Sequence, residues 1–397
     1  MGDAARRWFW LAGLLLAGCA SPPAIQPTGW ARLDPYQGRL SAAEWRAALD
    51  GRFAPNGAGK GFLEITPDGL RILKQHGPDG LVAGYYTLPA RPPNTPRPAP
   101  PPGARYWRPL SELGPATAEH PLAGLRIALD PGHLGGVWGK MEARSFSFNG
   151  EPPVQEGDLA LRVAQLLRPR LEALGAQVSF VRDRPGPVTG EKFEDVHPAN
   201  WAEVEAFLNR EIHARAQRVN EVLQPDLVLC LHLDAVAWPD PNHPALISQS
   251  QHFHLMVNGS YLATEVANEE QRQEMIERIA SGAGDEELAV ARAMADGAVP
   301  VFGQPASGYS LPTGIALGGN GYVWGRNVLA DRLYRCPVVF MEPYVANSVE
   351  GYARIQAGEY PGTRAFHGVA RKNIFEEYGD AVVAGVVKYY GQRAKTN

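Results

Sequence analysis

RIALDPGHLGG, residues 126–136, reads as a short buried strand that stops at a turn and delivers a histidine, His133, just beyond its end. The apolar run Leu125 to Leu129 is too short for a helix, and Asp130-Pro131-Gly132 breaks it. Further along the chain the same kind of run recurs at Val178 to Val181, Leu227 to Leu231 and Val338 to Met341. Between these runs lie stretches of helical spacing. Glu156 to Leu174 places Leu159, Val163, Leu166, Leu167, Leu171 and Leu174 on one stripe, with Pro169 expected to kink it, and Trp201 to Leu223 is a second such stretch. Buried strands alternating with helices predict an α/β fold, a mainly parallel sheet covered by helices on both faces.

In open parallel sheets, functional side chains gather at the carboxyl ends of the strands. His133 follows the first strand, His232 ends the Leu227 to Leu231 run, and Glu342 ends the Val338 to Met341 run. Glu156 opens the helix after His133, where the helix N-terminus favours a carboxylate. Two imidazoles and a carboxylate are a catalytic zinc set, His133, Glu156 and His232, with a fourth position left for water. Glu342 is then placed as a general base. A second pair, His252 and His254, alternates within Gln251 to Val257, so a strand would set both on one face at chelating distance, an internal competitor for the metal. No carboxylate stands near them at ligand spacing, and they read as the polar side of an edge strand.

The same residues carry a family resemblance. RIALDPGHLGG, VQEGDLALRVAQLLRPRLEALGAQVSFVRD (154–183), DLVLCLHLDA (226–235) and CPVVFMEPYVANSVE (336–350) together resemble the zinc-dependent N-acetylmuramoyl-L-alanine amidases of the type-3 family. The resemblance covers about Leu125 to Glu350 and implies zinc bound by His133, Glu156 and His232, with Glu342 catalytic. It also implies the substrate: the amide joining N-acetylmuramic acid to L-alanine in the peptidoglycan of the cell wall. Arg215 and Asn220 match the family's helix before the second histidine. The chain departs from the pattern at Leu134, where a Gly-Gly is interrupted, at Leu231 in place of a Ser, and at Pro343 in place of a Gly. Two stretches exceed the family core, near 185–200 and 236–285, and such insertions at a catalytic face are usually lids or substrate walls. A zinc hydrolase of another amide, and a catalytically silent wall-binding or regulatory lipoprotein, remain as alternative readings.

The rest of the chain sets the context. With a formal net charge of -4 and no basic cluster interleaved with aromatics, it is not built to track nucleic acid. Residues 38–88 read as a small α+β module: Ser41 caps a helix running to about Leu49, and Phe62 to Ile65 and Leu70 to Leu73 flank an Asp68-Gly69 hairpin turn. Residues 89–120 read as a proline-rich linker, whose PARPPNTPRPAPPP tract (89–102) in extended polyproline geometry would span roughly 40 Å. Residues 121–397 are the expected catalytic domain, closed by a helix near Ala381 to Tyr390. Level strand ends would leave Cys230 and Cys336 offset by four residues, too far for a disulfide.

Residues 1–19 are a targeting segment: Arg6 and Arg7, an apolar run from Trp8 to Ala17 too short to span a bilayer, then Leu16-Ala17-Gly18-Cys19. That ending resembles a bacterial lipobox, which implies cleavage before Cys19, lipidation of Cys19, and a tether over 20–37. The resemblance places the protein in the periplasm, anchored by lipid to a membrane, the outer membrane being favoured because Ala20 and Ser21 stand where a retention signal would show Asp. Labelled fatty acid is expected to enter the wild-type protein and not Cys19→Ser; equal labelling of both would remove the anchor.

Overall fold

The short continuous apolar runs form the strands, and what differs from expectation is how they are arranged. The computed structural model describes residues 29–74, 84–196, 200–236, 238–239, 243–308, 314–318 and 320–394. Among them is a seven-stranded sheet of β1 (Arg126–Pro131), β2 (Gln177–Phe180), β3 (Leu227–Leu231), β4 (His254–Val257), β5 (Ile315–Ala316), β6 (Val323–Gly325) and β7 (Val338–Glu342). Its order is β5-β6-β4-β7-β3-β1-β2. The four runs read as strands form one parallel block, β2-β1-β3-β7. β4 joins that block antiparallel to β7, β6 lies parallel to β4, and β5 is antiparallel to β6. The sheet is therefore mixed, mostly parallel.

One face of the sheet carries Ile127, Leu129, Leu229, Leu231, Val339 and Met341. It is covered by α1 (Glu156–Ala173), α4 (Ala283–Phe302) and α5 (Ile374–Tyr390). α1 continues as one helix through Pro169. The opposite face carries Ala128, Val228, Cys230, Met256, Val338 and Phe340, packed with Ala216 of α2 (Trp201–Gln217), Val219 and Tyr334. Since side chains alternate along a strand, His232 and Glu342 project to this second face, two residues beyond Cys230 and Phe340. Cys230 pairs in register with Phe340, four residues beyond Cys336, and both thiols are buried and unpaired.

The 236–285 region is more than a lid. It supplies β4, an inner strand, so the edge-strand reading of His252 and His254 is corrected: His254 lies between two neighbours and is 1% exposed. It also supplies α3 (Glu269–Ser281), whose Met275, Ile276 and Ile279 share one core with Trp45, Leu49, Phe53, Leu70, Ile72 and Leu88 of the N-terminal segment. Within that segment Ser41 and Glu44 form a capping box on the helix Ala42–Ala48. Strands Leu63–Thr66 and Gly69–Leu73 pair as a hairpin, and Tyr85–Pro89 adds a third strand not read from the sequence. The proline-rich stretch lies back on this body and does not act as a free spacer. Arg39 Nε donates to the Pro98 carbonyl at 3.0 Å, Arg91 pairs with Glu44 at 2.7 Å, and Arg97 pairs with Asp285 at 2.7 Å. Truncating Ile276 to Ala in this shared core should cost about 2–5 kcal/mol. Urea titration of the variant measures the loss, and an unchanged midpoint would show that the two segments do not share a core.

Candidate metal centre

His133, Glu156 and His232 come together as the sequence implied: one ligand atom from each lies within 4.8 Å of the others. They arrive from the turn after β1, the first residue of α1, and the residue after β3. Glu156 Oε1 accepts the Leu233 N–H at 3.1 Å and lies 3.0 Å from His232 Nδ1. Its other oxygen, Oε2, is buried without a hydrogen-bond partner and faces His133 Nε2 at 3.4 Å. A carboxylate with one oxygen against each of two imidazoles, the second of them lacking a hydrogen bond, is what a cation site looks like before the cation is counted, so the residues fit zinc. Burial lowers the His133 imidazole to about 3, keeping it in the neutral form a ligand requires.

The turn bearing His133 is tightly constrained. His133 sits at φ 55, in the left-handed region that costs a side-chain-bearing residue energy. Arg215 of α2 holds it there, donating to the Pro131 carbonyl at 3.0 Å and the His133 carbonyl at 3.1 Å. Gly132 is required beside it, since a Cβ would lie 2.3 Å from the His232 ring. Gly157 in the first turn of α1 is required too, because its Cβ would meet the Leu134 carbonyl at 2.1 Å. Leu134, the departure from the family pattern, is buried against Trp138, Met141 and Phe207, and Val196 of the 185–200 stretch joins the same cluster. That stretch thus forms a wall behind the His133 turn.

Glu342 stands level with His232, one strand over, at the wall of a crevice of about 310 Å³. The crevice is also lined by His133, His232, Arg144, Arg326, Phe340 and Met256. Burial raises the Glu342 carboxyl, His232 works against it and Asp234 adds to it, leaving it at about 8. A cation held by the neighbouring triad would lower that value and return the carboxylate to the form that accepts a proton.

No protein-family model matches this chain, and no curated protein sequence does. Similar solved structures include the N-acetylmuramyl-L-alanine amidase Ami1 from Mycobacterium smegmatis, 19% identical, covering 68% of this chain and 99% of that one, with a TM-score of 0.40. The CwlD amidase from Clostridioides difficile, in complex with the GerS lipoprotein, is 12% identical over 69% of this chain and 99% of that one, with a TM-score of 0.41. The N-acetylmuramoyl-L-alanine amidase AmiC2 of Nostoc punctiforme is 17% identical over 67% of this chain and 98% of that one, with a TM-score of 0.36. At this level the likeness assigns no side chain a role; the geometry above has to do so.

Three functional neighbours escaped the sequence. Glu142 accepts the Leu134 N–H and lies 3.2 Å from His133 Nδ1, orienting the ring from behind. Arg144 brings a guanidinium to 3.4 Å from His133 Nε2 and 3.6 Å from Glu156 Oε2. Asp234 lies between the first centre and His252, 2.7 Å from His252 Nε2. None has a local signature, because each acts through a loop contact that only folding creates. Arg215 proves to be a buried clamp, and Asn220 a bridge: its side chain accepts from Tyr106 and from the Arg335 N–H and donates to the Leu333 carbonyl. Cys19 lies outside the described residues. Removing the ring-orienting carboxylate by Glu142→Ala should weaken metal affinity about 10–100-fold. Competition with a chromogenic chelator measures this, and unaltered affinity would reduce Glu142 to a packing role.

Proposed function

We propose that the protein is a zinc-dependent amidase that hydrolyses the bond between N-acetylmuramic acid and L-alanine in peptidoglycan. The observation that carries this reading is the convergence of one ligand atom each from His133, Glu156 and His232, with Glu342 level beside them. Zinc, when bound, supplies Lewis acidity toward an amide carbonyl and lowers the pKa of water. The chain's own residues do the rest. Glu342 takes a proton from water and returns it to the departing amine. Arg144 and Arg326 line the crevice with positive charge, which suits a stem peptide bearing carboxylates, while Phe340 and Met256 offer apolar wall.

Arg144 also favours a second reading. Its guanidinium lies among the metal ligands, as it would in a wall-binding protein whose site is closed. Zinc that wild type holds and His133→Ala lacks separates the two. For location, the Cys19 motif supports a lipid anchor and a periplasmic position; among the described residues no helix is long and apolar enough to cross a membrane. A lipidated chain end would keep the enzyme within reach of the wall.

The test pairs zinc content with mass spectrometry of digested muropeptides. Wild type should release free L-alanine-terminated stems. Glu342→Gln should keep the zinc of this site and lose about 10²–10⁴-fold in rate, whereas His133→Ala or His232→Ala should lose the zinc of this site and activity together. Cleavage of a different amide would move the substrate assignment, and zinc loss in Glu342→Gln would make that residue a ligand.

A further inference from the structure

The chain that leaves the first centre builds a second cluster two residues later. Asp234 Oδ2 lies 2.7 Å from His252 Nε2 and 3.9 Å from His254 Nδ1. One ligand atom from each of Asp234, His252 and His254 lies within 4.8 Å of the others. We propose that these three residues form a second binding site, for a divalent first-row transition metal ion such as zinc, on the far side of Glu342 from the first.

The donor chemistry is right: two imidazoles and one carboxylate suit zinc and its neighbours in the series and do not suit calcium or magnesium. The spacing is close to right. A tetrahedral ion with bonds of about 2.0–2.1 Å sets its ligand atoms roughly 3.3 Å apart. The two Asp234 separations bracket that figure and the third, between the two imidazoles, is within 4.8 Å, so modest ligand shifts complete the site. A simple Asp234–His252 hydrogen bond accounts for the short separation alone and leaves the convergence of a second imidazole on the same oxygen unaccounted for.

The three ligands are also independently anchored, as a preorganised site requires. Asp234 is pinned on both sides by backbone, its N–H donating to the Tyr344 carbonyl at 3.1 Å and its carbonyl accepting from the Ala346 N–H at 2.8 Å. His254 is fixed in β4, an inner strand of the sheet. His252 adjoins Phe253, whose N–H donates to the Pro305 carbonyl at 3.1 Å. The Asp234 and His252 side chains remain 23% and 18% exposed, which leaves an approach for the ion and for a water as its fourth ligand.

Strand register gives the site its place. His254 pairs with Glu342 across the β4–β7 ladder, and Glu342 is level with His232 on β3. The proposed general base thus stands between the two clusters. An ion on Asp234 would offset the negative charge nearest Glu342 and tie the 232–236 loop to β4. This assignment needs only Asp234, His252 and His254, and it stands whether or not the protein is an amidase.

The experiment loads the full chain with zinc, removes loosely held metal by gel filtration, and counts bound zinc by mass spectrometry, with circular dichroism as a check on folding. The decisive background is His133→Ala, in which the first site is disabled. That protein is expected to retain about one zinc ion per chain, and adding Asp234→Asn or His252→Ala should remove it. Cobalt(II) in the same background should give visible d–d bands that vanish with either added change. A folded His133→Ala protein that holds no zinc overturns the proposal, as does residual zinc indifferent to both Asp234→Asn and His252→Ala. Wild-type zinc content in His133→Ala would instead indict the first site. If His252→Ala fails to fold, Asp234→Asn, which keeps the side chain's shape, carries the test.

Discussion

The site depends on a buried cation. Arg215 lies 2% exposed in α2, paired with Asp130 at 3.0 Å and Glu211 at 3.0 Å, while its remaining N–H groups reach the Pro131 and His133 carbonyls. Burial works against its charge; Asp130 and Glu211 outweigh burial and hold it protonated. Leaving such a charge without partners costs several kcal/mol, so the pairings are made together or not at all. The fork thereby ties the end of β1, the helix behind it and the left-handed His133 turn into one unit. Tyr334 adds to the same knot, its hydroxyl donating to Asp130 at 2.6 Å. The His133 side chain is thus aimed by groups outside the candidate ligand set.

A comparable device holds the other side of the centre. Tyr378 of α5 donates its hydroxyl to the Met341 carbonyl at 2.6 Å and accepts from the His232 N–H at 3.3 Å. One side chain from the C-terminal helix therefore sets the relative height of the strand ends that carry His232 and Glu342. Between them, Arg215 and Tyr378 define the crevice from opposite faces of the sheet. Preorganisation of this kind is what lets a carboxylate and a metal site act on one substrate atom without large motion.

The inserted regions have been absorbed into the architecture. The 236–285 stretch adds an inner strand antiparallel to β7 and lends α3 to the core under the N-terminal segment. Asn347 fastens the start of this stretch, its amide donating to the Val236 and Leu246 carbonyls and accepting from the Val236 N–H. Arg52, fully enclosed, does the same for the N-terminal segment, donating to the Asn258 and Gly284 carbonyls and pairing with Glu287. These segments are thus bound to the seven-stranded sheet by buried polar contacts as well as by apolar burial.

Local pattern alone determined the four parallel strands, α1, α2 and the set His133, Glu156, His232 and Glu342, because strand and helix periods are short-range and strand ends concentrate functional groups. The unpaired state of Cys230 and Cys336 followed from the same register. Tertiary structure decided what depends on contacts between distant segments: the entry of β4 against the direction of β7, the folding back of the proline-rich stretch, and the arrival of Asp234 beside His252 and His254. In sequence, Asp234 stands 18 residues before His252 with no periodic relation to it. Only a loop leaving β3 and a strand running the other way beside β7 could bring a carboxylate to those imidazoles. That placement is a property of sheet topology, and no local window of the chain encodes it.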